Sequence, residues 1–384
     1  MVAIPVTPVM SALLILIGLS VCLGDNIASG SAIGSGSKEH SYSNFVPKIF
    51  VIGFPKCGTT VTAHYLSGHP NLLLPTKYDR WQPGYYNKET HYFERKDSVR
   101  LGFTEYSRFY PKLRKQYIQG NVSVKDALIG VDATPSIQGI IPMERLRKCY
   151  SNANLTSSMR FVINMREPFD GVRSFNVFVR KTCGKVCLVQ NKHLLNITSG
   201  YGNNALEVDL LSELNSPAVQ TCTPSAEWWK QRNELSIDEF IWNFQTSCPP
   251  VLRNYLYVVF MQLYSMAFGK RVGLICPVFQ DDLKLPRMDD TFVDLQRCLE
   301  LPQVIEQISK HVKKPPSNYY QKYDNTSEVS EEVKAATRKF YRPWLCSLDE
   351  FLTDLNGVSP VLGAPGSQRT LAEWMPTKSE CEAS

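Results

Sequence analysis

Residues 48–60 read K-I-F-V-I-G-F-P-K-C-G-T-T, and this run constrains the fold more than any other. An apolar, β-branched stretch from Ile49 to Ile52 ends at Gly53. A tight loop follows, closed by Gly58. Thr59 and Thr60 then open a helical stretch ending near Gly68. Strand, glycine loop and helix in that order form a phosphate cradle, because loop N–H groups and the helix N-terminus point at one anion. The spacing Gly53 to Gly58 matches the pattern G-x-x-x-x-G-K-[ST], but its lysine is missing. Position 59 is Thr, and the only lysine of the loop is Lys56. A lysine moved into the loop predicts a nucleotide with a different 5′ group.

The rest of the chain alternates apolar runs with helical patterns, which predicts an α/β fold. It is expected to be a doubly wound parallel sheet with helices on both faces and this P-loop-like loop. Strands are expected at 48–53, at Leu128 to Val131, at Phe161 to Met165 and at Arg271 to Val278. Residues 69–95, with three prolines, read as irregular. Phe169 to Val179 reads as a helix, with Pro168 at its start, where proline is tolerated. Ser236 and Glu239 form a capping-box pattern. Tyr255 to Phe268 reads as an apolar helix. Val329 to Leu352 reads as an amphipathic one, broken at Pro343. Residues 181–225 show no clear period and read as an insertion, a disulfide-stapled flap.

The ends differ in character. An apolar run from Val9 to Leu23 is short for a spanning helix, which needs about 20 residues. Residues 1–24 therefore read as a signal peptide cleaved near Gly24, with a retained signal anchor as the alternative. Residues 25–44, rich in Ser and Gly, read as a flexible stem. Residues 45–356 form the domain. Residues 357–384, rich in Pro, Gly and Ser, read as a disordered tail. Four N-x-[ST] sequons, at Asn121, Asn154, Asn196 and Asn325, point with the leader to a secretory lumen. Of 11 cysteines, Cys22 lies in the leader and Cys57 in the loop, so the other nine form at most four pairs. Cys183 with Cys187, Cys222 with Cys248, and Cys276 with Cys298 are pairings to test, since sequence does not fix connectivity. The net charge of +6 is spread without a basic stripe, which argues against a nucleic-acid binder. No C-x-x-C pair occurs. His64 and His69 miss the spacing of a helical metal pair, so no metal site is expected.

Two further segments bring in a resemblance. Arg160 to Ser174 reads R-F-V-I-N-M-R-E-P-F-D-G-V-R-S, and Lys88 to Phe93 reads K-E-T-H-Y-F. P-K-C-G-T-T resembles the 5′-phosphosulfate loop of sulfotransferases that use 3′-phosphoadenosine-5′-phosphosulfate (PAPS). The strand followed by Arg166-Glu167-Pro168, with Ser174 eight residues after the arginine, resembles their 3′-phosphate site. K-E-T-H-Y-F is similar to K-E-x-H-F-F of the Golgi-type glycan sulfotransferases, a group that includes the heparan sulfate and N-acetylgalactosamine 4-sulfate 6-O-sulfotransferases. Gln280 to Leu283 and Phe340 to Trp344 resemble two later segments of that family. The heparan-type E-K-[ST]-P is replaced here by Asp132-Ala133-Thr134-Pro135, so Ala133 stands in place of a lysine near the acceptor.

The resemblance implies PAPS as co-substrate, no required metal and a carbohydrate acceptor. It implies a lumenal or secreted enzyme, membrane-anchored if the leader is retained. Lys56, Cys57, Gly58, Thr59 and Thr60 would hold the 5′-phosphosulfate, with Lys56 neutralising the leaving phosphate. Arg166 and Ser174 would hold the 3′-phosphate, the guanidinium as a planar fork. Glu89 would be the base, with His91 the alternative. Two other readings stand beside it. A P-loop kinase conflicts with Thr59 at the lysine position. A secreted, non-catalytic glycan-binding protein would keep the fold and lose the chemistry.

Overall fold

The computed structural model describes residues 46–76, 88–94, 102–119, 127–178, 205–269, 274–283, 287–304, 329–356, 374 and 376–382. The leader, the stem, Cys183, Cys187 and the sequons at Asn121, Asn196 and Asn325 lie outside them. Five strands form one parallel sheet: β1 (Ile49–Val51), β2 (Leu72–Leu73), β3 (Ile129–Asp132), β4 (Arg160–Met165) and β5 (Ile275–Phe279), in the order β2-β3-β1-β4-β5.

Both faces of the sheet are covered, and the strand residues divide between them with the period of two that a pleat dictates. Phe50, Ile52, Phe161, Ile163 and Met165 join one buried cluster, while Ile49, Val51 and Val162 join the other. The second cluster receives Val61, Tyr65 and Leu66 of α1 (Thr59–Leu66) and Phe292 and Leu295 of the helix Met288–Cys298. The first cluster is larger. It receives α2 (Ile140–Asn152), α5 (Tyr257–Phe268) and α6 (Glu331–Asn356). Between β4 and α5 lie α3, spanning 168–178, and α4 (Ala205–Leu214). The fold is thus an α/β, doubly wound parallel sheet, as the alternation of patterns predicts.

The strand order reverses beside β1. The chain leaves β1 toward β2 on one side, and leaves β4 toward β5 on the other. A crevice therefore opens between the C-terminal ends of β1 and β4, the place where open sheets of this kind bind ligands. Hydrogen bonding continues past the strands there: Ile52 N–H donates to Val162 O at 3.0 Å and Phe54 N–H to Asn164 O at 3.2 Å. Gly53 permits that approach, since a Cβ on it would lie 2.5 Å from Asn164 Cβ.

Several expectations need correction. Residues 69–95 are not wholly irregular: Leu72 and Leu73 form an edge strand on β3, too short to show alternation in sequence. Within the supposed insertion, residues 205–214 form α4, with Leu206 and Leu210 buried; the exposed Val208 and Leu211 blur its period. Pro343 does not break α6, which runs through it. The helix is held on both sides of the proline, where Tyr341 O–H donates to Leu252 O at 2.7 Å and Trp344 Nε1–H to Cys222 O at 3.2 Å. The C-terminal tail is not disordered over 376–382. Cys381 is bonded to Cys346, and Trp374 packs against Tyr257 and Phe279. Cys222–Cys248 and Cys276–Cys298 pair as proposed, and Cys57 and Cys149 are buried.

Gly53→Ala should destabilise the protein by about 1–3 kcal/mol, the usual cost of overpacking a tight contact. Urea denaturation measures this, and an unchanged midpoint would mean that β1 and β4 do not close on each other at this point.

Candidate functional site

The loop between β1 and α1 is built by its glycines and by what lies behind it. Gly58 is the residue before the helix, at φ 94°, where a side chain would be strained. A Cβ there would also lie 2.6 Å from Leu283 Cδ1, so the turn Gln280–Leu283 after β5 backs the loop. Val61 and Thr62 N–H donate to Gly58 O, closing the first turn of α1. The N–H groups of Thr59 and Thr60, ahead of them, have no acceptor within the helix. Lys56 has φ 67°, one of four non-glycine residues with positive φ among those described. Such conformations cost about 1–3 kcal/mol and concentrate at functional sites.

Cys57, on the other side of the loop, is wholly buried. Burial pushes its thiol up to about 12, with Tyr257 and Arg166 pulling weakly the other way, so it is a packing residue and no nucleophile at neutral pH. Its backbone N–H can still belong to the cradle, though in this structure it donates to Phe54 O at 3.1 Å.

Arg166 follows β4 directly and α3 begins two residues later. Glu167 caps that helix, its Oε2 accepting from Asp170 N–H at 2.7 Å. Asp170 lies 3.8 Å from the Arg166 guanidinium and 3.3 Å from that of Arg173. Ser174 lies on the same helix, and Phe178 is four residues further on the same face. Lys56 Nζ sits 4.9 Å from the centroid of the Phe178 ring. The loop lysine and the Arg166–Ser174 segment are therefore neighbours across the crevice.

The two halves are joined from below by tyrosines. Tyr257 O–H donates to Arg166 O at 2.5 Å, accepts from Arg166 N–H at 3.1 Å and lies 3.8 Å from Cys57 Sγ. Tyr255 O–H donates to Pro55 O at 2.9 Å. Sequence reasoning missed both, because Y-L-Y at the head of an apolar helix reads as core. Their only outward sign is a pair of hydroxyls that a core helix does not need.

Lys88 to Glu94 form a wall fastened to the C-terminal end of β3, the strand beside β1. Ala133 N–H donates to Lys88 O at 2.9 Å, and Thr90 N–H and His91 N–H donate to Thr134 Oγ1 at 3.0 and 3.2 Å. The buried Asp132 organises this. Its carboxylate accepts from Thr90 Oγ1 at 2.5 Å, Tyr106 O–H at 2.6 Å and Thr134 Oγ1 at 2.6 Å. Burial raises its affinity for a proton, while Thr134, Thr90 and Tyr106 oppose that. The work of Asp132 and Thr134 is to hold the neighbouring loop.

Charges alternate along that wall. Glu89 pairs with Lys88, His91 Nε2 lies 3.0 Å from Glu89 Oε2, and His91 Nδ1 lies 2.9 Å from Glu94 Oε1. Ser136 Oγ donates to Glu94. Burial alone would lower His91's affinity for a proton, but Glu89 and Glu94 reverse this and raise its pKa to about 10. For Glu89 burial raises the carboxyl, yet His91 and Lys88 outweigh it and hold it below the ordinary value. At neutral pH His91 is thus an imidazolium with no lone pair to accept a proton, and Glu89 is the ionised acceptor. His91 also has φ 51°. His69 is structural: it is buried and its Nε2 lies 2.9 Å from Pro302 O.

No family model matches the chain, and no curated protein matches it. Among solved structures, a sulfotransferase from Alicyclobacillus acidocaldarius is similar, at 16% identity over 80% of this chain and 96% of that one, with a TM-score of 0.41. A likeness at that level assigns no activity.

The imidazolium reading gives a direct expectation. In an NMR titration the His91 ring should change state near pH 10, and a midpoint near 6.5 would contradict its pairing with Glu89 and Glu94. Because its folded pKa lies above the unfolded one, the stabilisation His91 supplies is complete below about pH 6.5 and is lost as pH rises through about 10. His91→Ala should flatten that alkaline decline.

Proposed function

We propose that this protein transfers a sulfuryl group from PAPS to a hydroxyl, or less readily an amine, of a carbohydrate acceptor. The observation that carries the reading is the meeting of Lys56 and the Arg166–Ser174 helix across one crevice, with Lys56 Nζ against Phe178. A nucleotide bearing anionic groups at both its 5′ and 3′ ends suits two cationic subsites set side by side; a nucleotide charged only at its 5′ end leaves Arg166 idle.

Sulfuryl transfer asks the protein for position and charge stabilisation. Lys56, the loop N–H groups of residues 57–60 and the hydroxyls of Thr59 and Thr60 would neutralise the phosphate that leaves as the S–O bond breaks. Arg166, with Arg173 beside it, and Ser174 would fix the 3′-phosphate and hence the angle of attack. Glu89 would take the acceptor's proton as the new O–S bond forms. In the resting site its two cationic neighbours make it a weak base. An acceptor that draws Lys88 or His91 away would raise its basicity where it is needed. Lys88 is placed to meet acceptor or sulfonate in the same step. No group of His, Cys, Asp and Glu suited to a metal occurs among the described residues, and the residues proposed here require none.

A glycosaminoglycan-like polysaccharide is the proposed acceptor class, resting on the likeness of K-E-T-H-Y-F to glycan-acting enzymes. The Golgi lumen, or secretion, is the proposed location. Three disulfides among the described residues suit an oxidising compartment, and Asn154 of one sequon is exposed. Among the described residues no helix is long and apolar enough to cross a membrane, and anchoring through residues 1–24 remains part of the proposal.

Transfer of radiolabelled sulfate from PAPS to a panel of polysaccharides tests the reading. Lys56→Ala should abolish incorporation with the fold intact, and Glu89→Gln should slow it by about 10²–10⁴-fold, the usual contribution of a general base. Unchanged incorporation in Lys56→Ala would refute the proposed role of the loop. A larger loss in His91→Ala than in Glu89→Gln would move the base.

A further inference from the structure

We infer that Tyr257, with Tyr255 beside it, is the positioning residue that sets the distance between the two anion subsites. This rests on the reading of the crevice as a PAPS site. Neither tyrosine touches the crevice with a charged group. Tyr257 acts on the backbone of Arg166, and Tyr255 on the carbonyl of Pro55, the residue before Lys56.

Tyr257 is wholly buried, at 2% exposure, and its hydroxyl makes a two-way hold on Arg166: it donates to the carbonyl at 2.5 Å and accepts from the N–H at 3.1 Å. That fixes the peptide planes on both sides of Arg166, and so the direction in which its side chain leaves β4. The same oxygen lies 3.8 Å from Cys57 Sγ, in the loop of the other subsite. The ring is held independently by Phe54, 4.4 Å away edge to face, and Phe54 is itself a loop residue. Tyr255 repeats the pattern from the neighbouring position. Its hydroxyl donates to Pro55 O at 2.9 Å, the residue before Lys56, while its ring packs directly on Gly171 of α3, one turn before Ser174. Two hydroxyls, from Tyr257 at the start of α5 and from Tyr255 in the turn Leu252–Tyr255 just before it, thus tie Pro55, Cys57 and Arg166 to one short stretch of chain, and the Tyr255 ring packs α3 against it.

Such a clamp matters only to a ligand that spans both subsites. A ligand held by one subsite alone gains nothing from a fixed distance between them. A bisphosphate gains through its second contact, at an effective concentration set by geometry. The clamp therefore predicts a ratio: the affinity for adenosine 3′,5′-bisphosphate divided by that for adenosine 5′-phosphate. A merely structural role in the core would lower stability and leave the ratio alone.

The experiment is calorimetric titration of the full-length protein with both nucleotides. Tyr257→Phe keeps the ring and removes the oxygen, so the ratio should fall about tenfold or more, chiefly through the bisphosphate. Tyr255→Phe should lower it in the same sense, and it stands alone as the test should Tyr257→Phe fail to fold. Tyr264→Phe is the control. Tyr264 is as deeply buried on the same helix, and its hydroxyl donates to Ile137 O at 2.9 Å, away from both subsites. It should lose thermal stability with an unchanged ratio. If folded Tyr257→Phe and Tyr255→Phe both keep the wild-type ratio, or if Tyr264→Phe lowers it equally, the inference is overturned. If the wild type itself shows no preference for the bisphosphate, the PAPS reading has failed first and the inference falls with it.

Discussion

The site depends on the parallel contact of β1 with β4. These strands are neighbours in the sheet, yet the chain leaves them toward opposite edges, so their C-terminal ends diverge above a shared hydrogen-bond ladder. Gly53 keeps the ladder going one step past β1, because any side chain there would meet Asn164. Asn164 in turn donates to Thr62 Oγ1 at 2.7 Å, fastening α1 to β4. The β1–α1 loop, the start of α1 and the first residue after β4 are therefore placed by one local interaction. A fold without that closure would have the same motifs and no crevice.

Around this junction the protein spends buried polar groups on position. Asp132 lies wholly buried beneath the Lys88–Glu94 wall, and Tyr255 and Tyr257, at the entry to α5, lie beneath the loop and Arg166. Buried polar atoms cost free energy unless their bonds are made, and here the bonds run to the residues that face the crevice. The wall itself alternates in sign, Lys88, Glu89, His91, Glu94. That arrangement stabilises each charge through its neighbours and holds the Glu89 carboxyl below its ordinary value.

The sheet was readable from sequence where strands carry long apolar runs, as at Phe161 to Met165, and unreadable at Leu72–Leu73, where two residues cannot show a period. The capping box at Ser236 and Glu239 was legible because its chemistry is local. The fate of Pro343 was not, since long-range bonds from Tyr341 and Trp344 decide it. At the site, Lys56, Arg166 and Ser174 were visible as motif positions, whereas Tyr255, Tyr257 and Thr90 were not. Their roles arise only when segments distant in sequence meet, 42 residues apart for Thr90 and Asp132 and 91 for Tyr257 and Arg166. The protonation of His91 was likewise hidden: sequence shows Glu89 and Glu94 as near neighbours, but only the backbone turn at φ 51° sets the ring between them.

The account's central claim is that one nucleotide spans the crevice from the loop to Arg166. The most direct measurement is a crystal structure of the protein with adenosine 3′,5′-bisphosphate. The account predicts the 5′-phosphate on the N–H groups around Gly58 with Lys56 turned toward it, and the 3′-phosphate on Arg166 and Ser174. A nucleotide bound with its 3′-phosphate in solvent, or seated away from the β1–β4 junction, would contradict it.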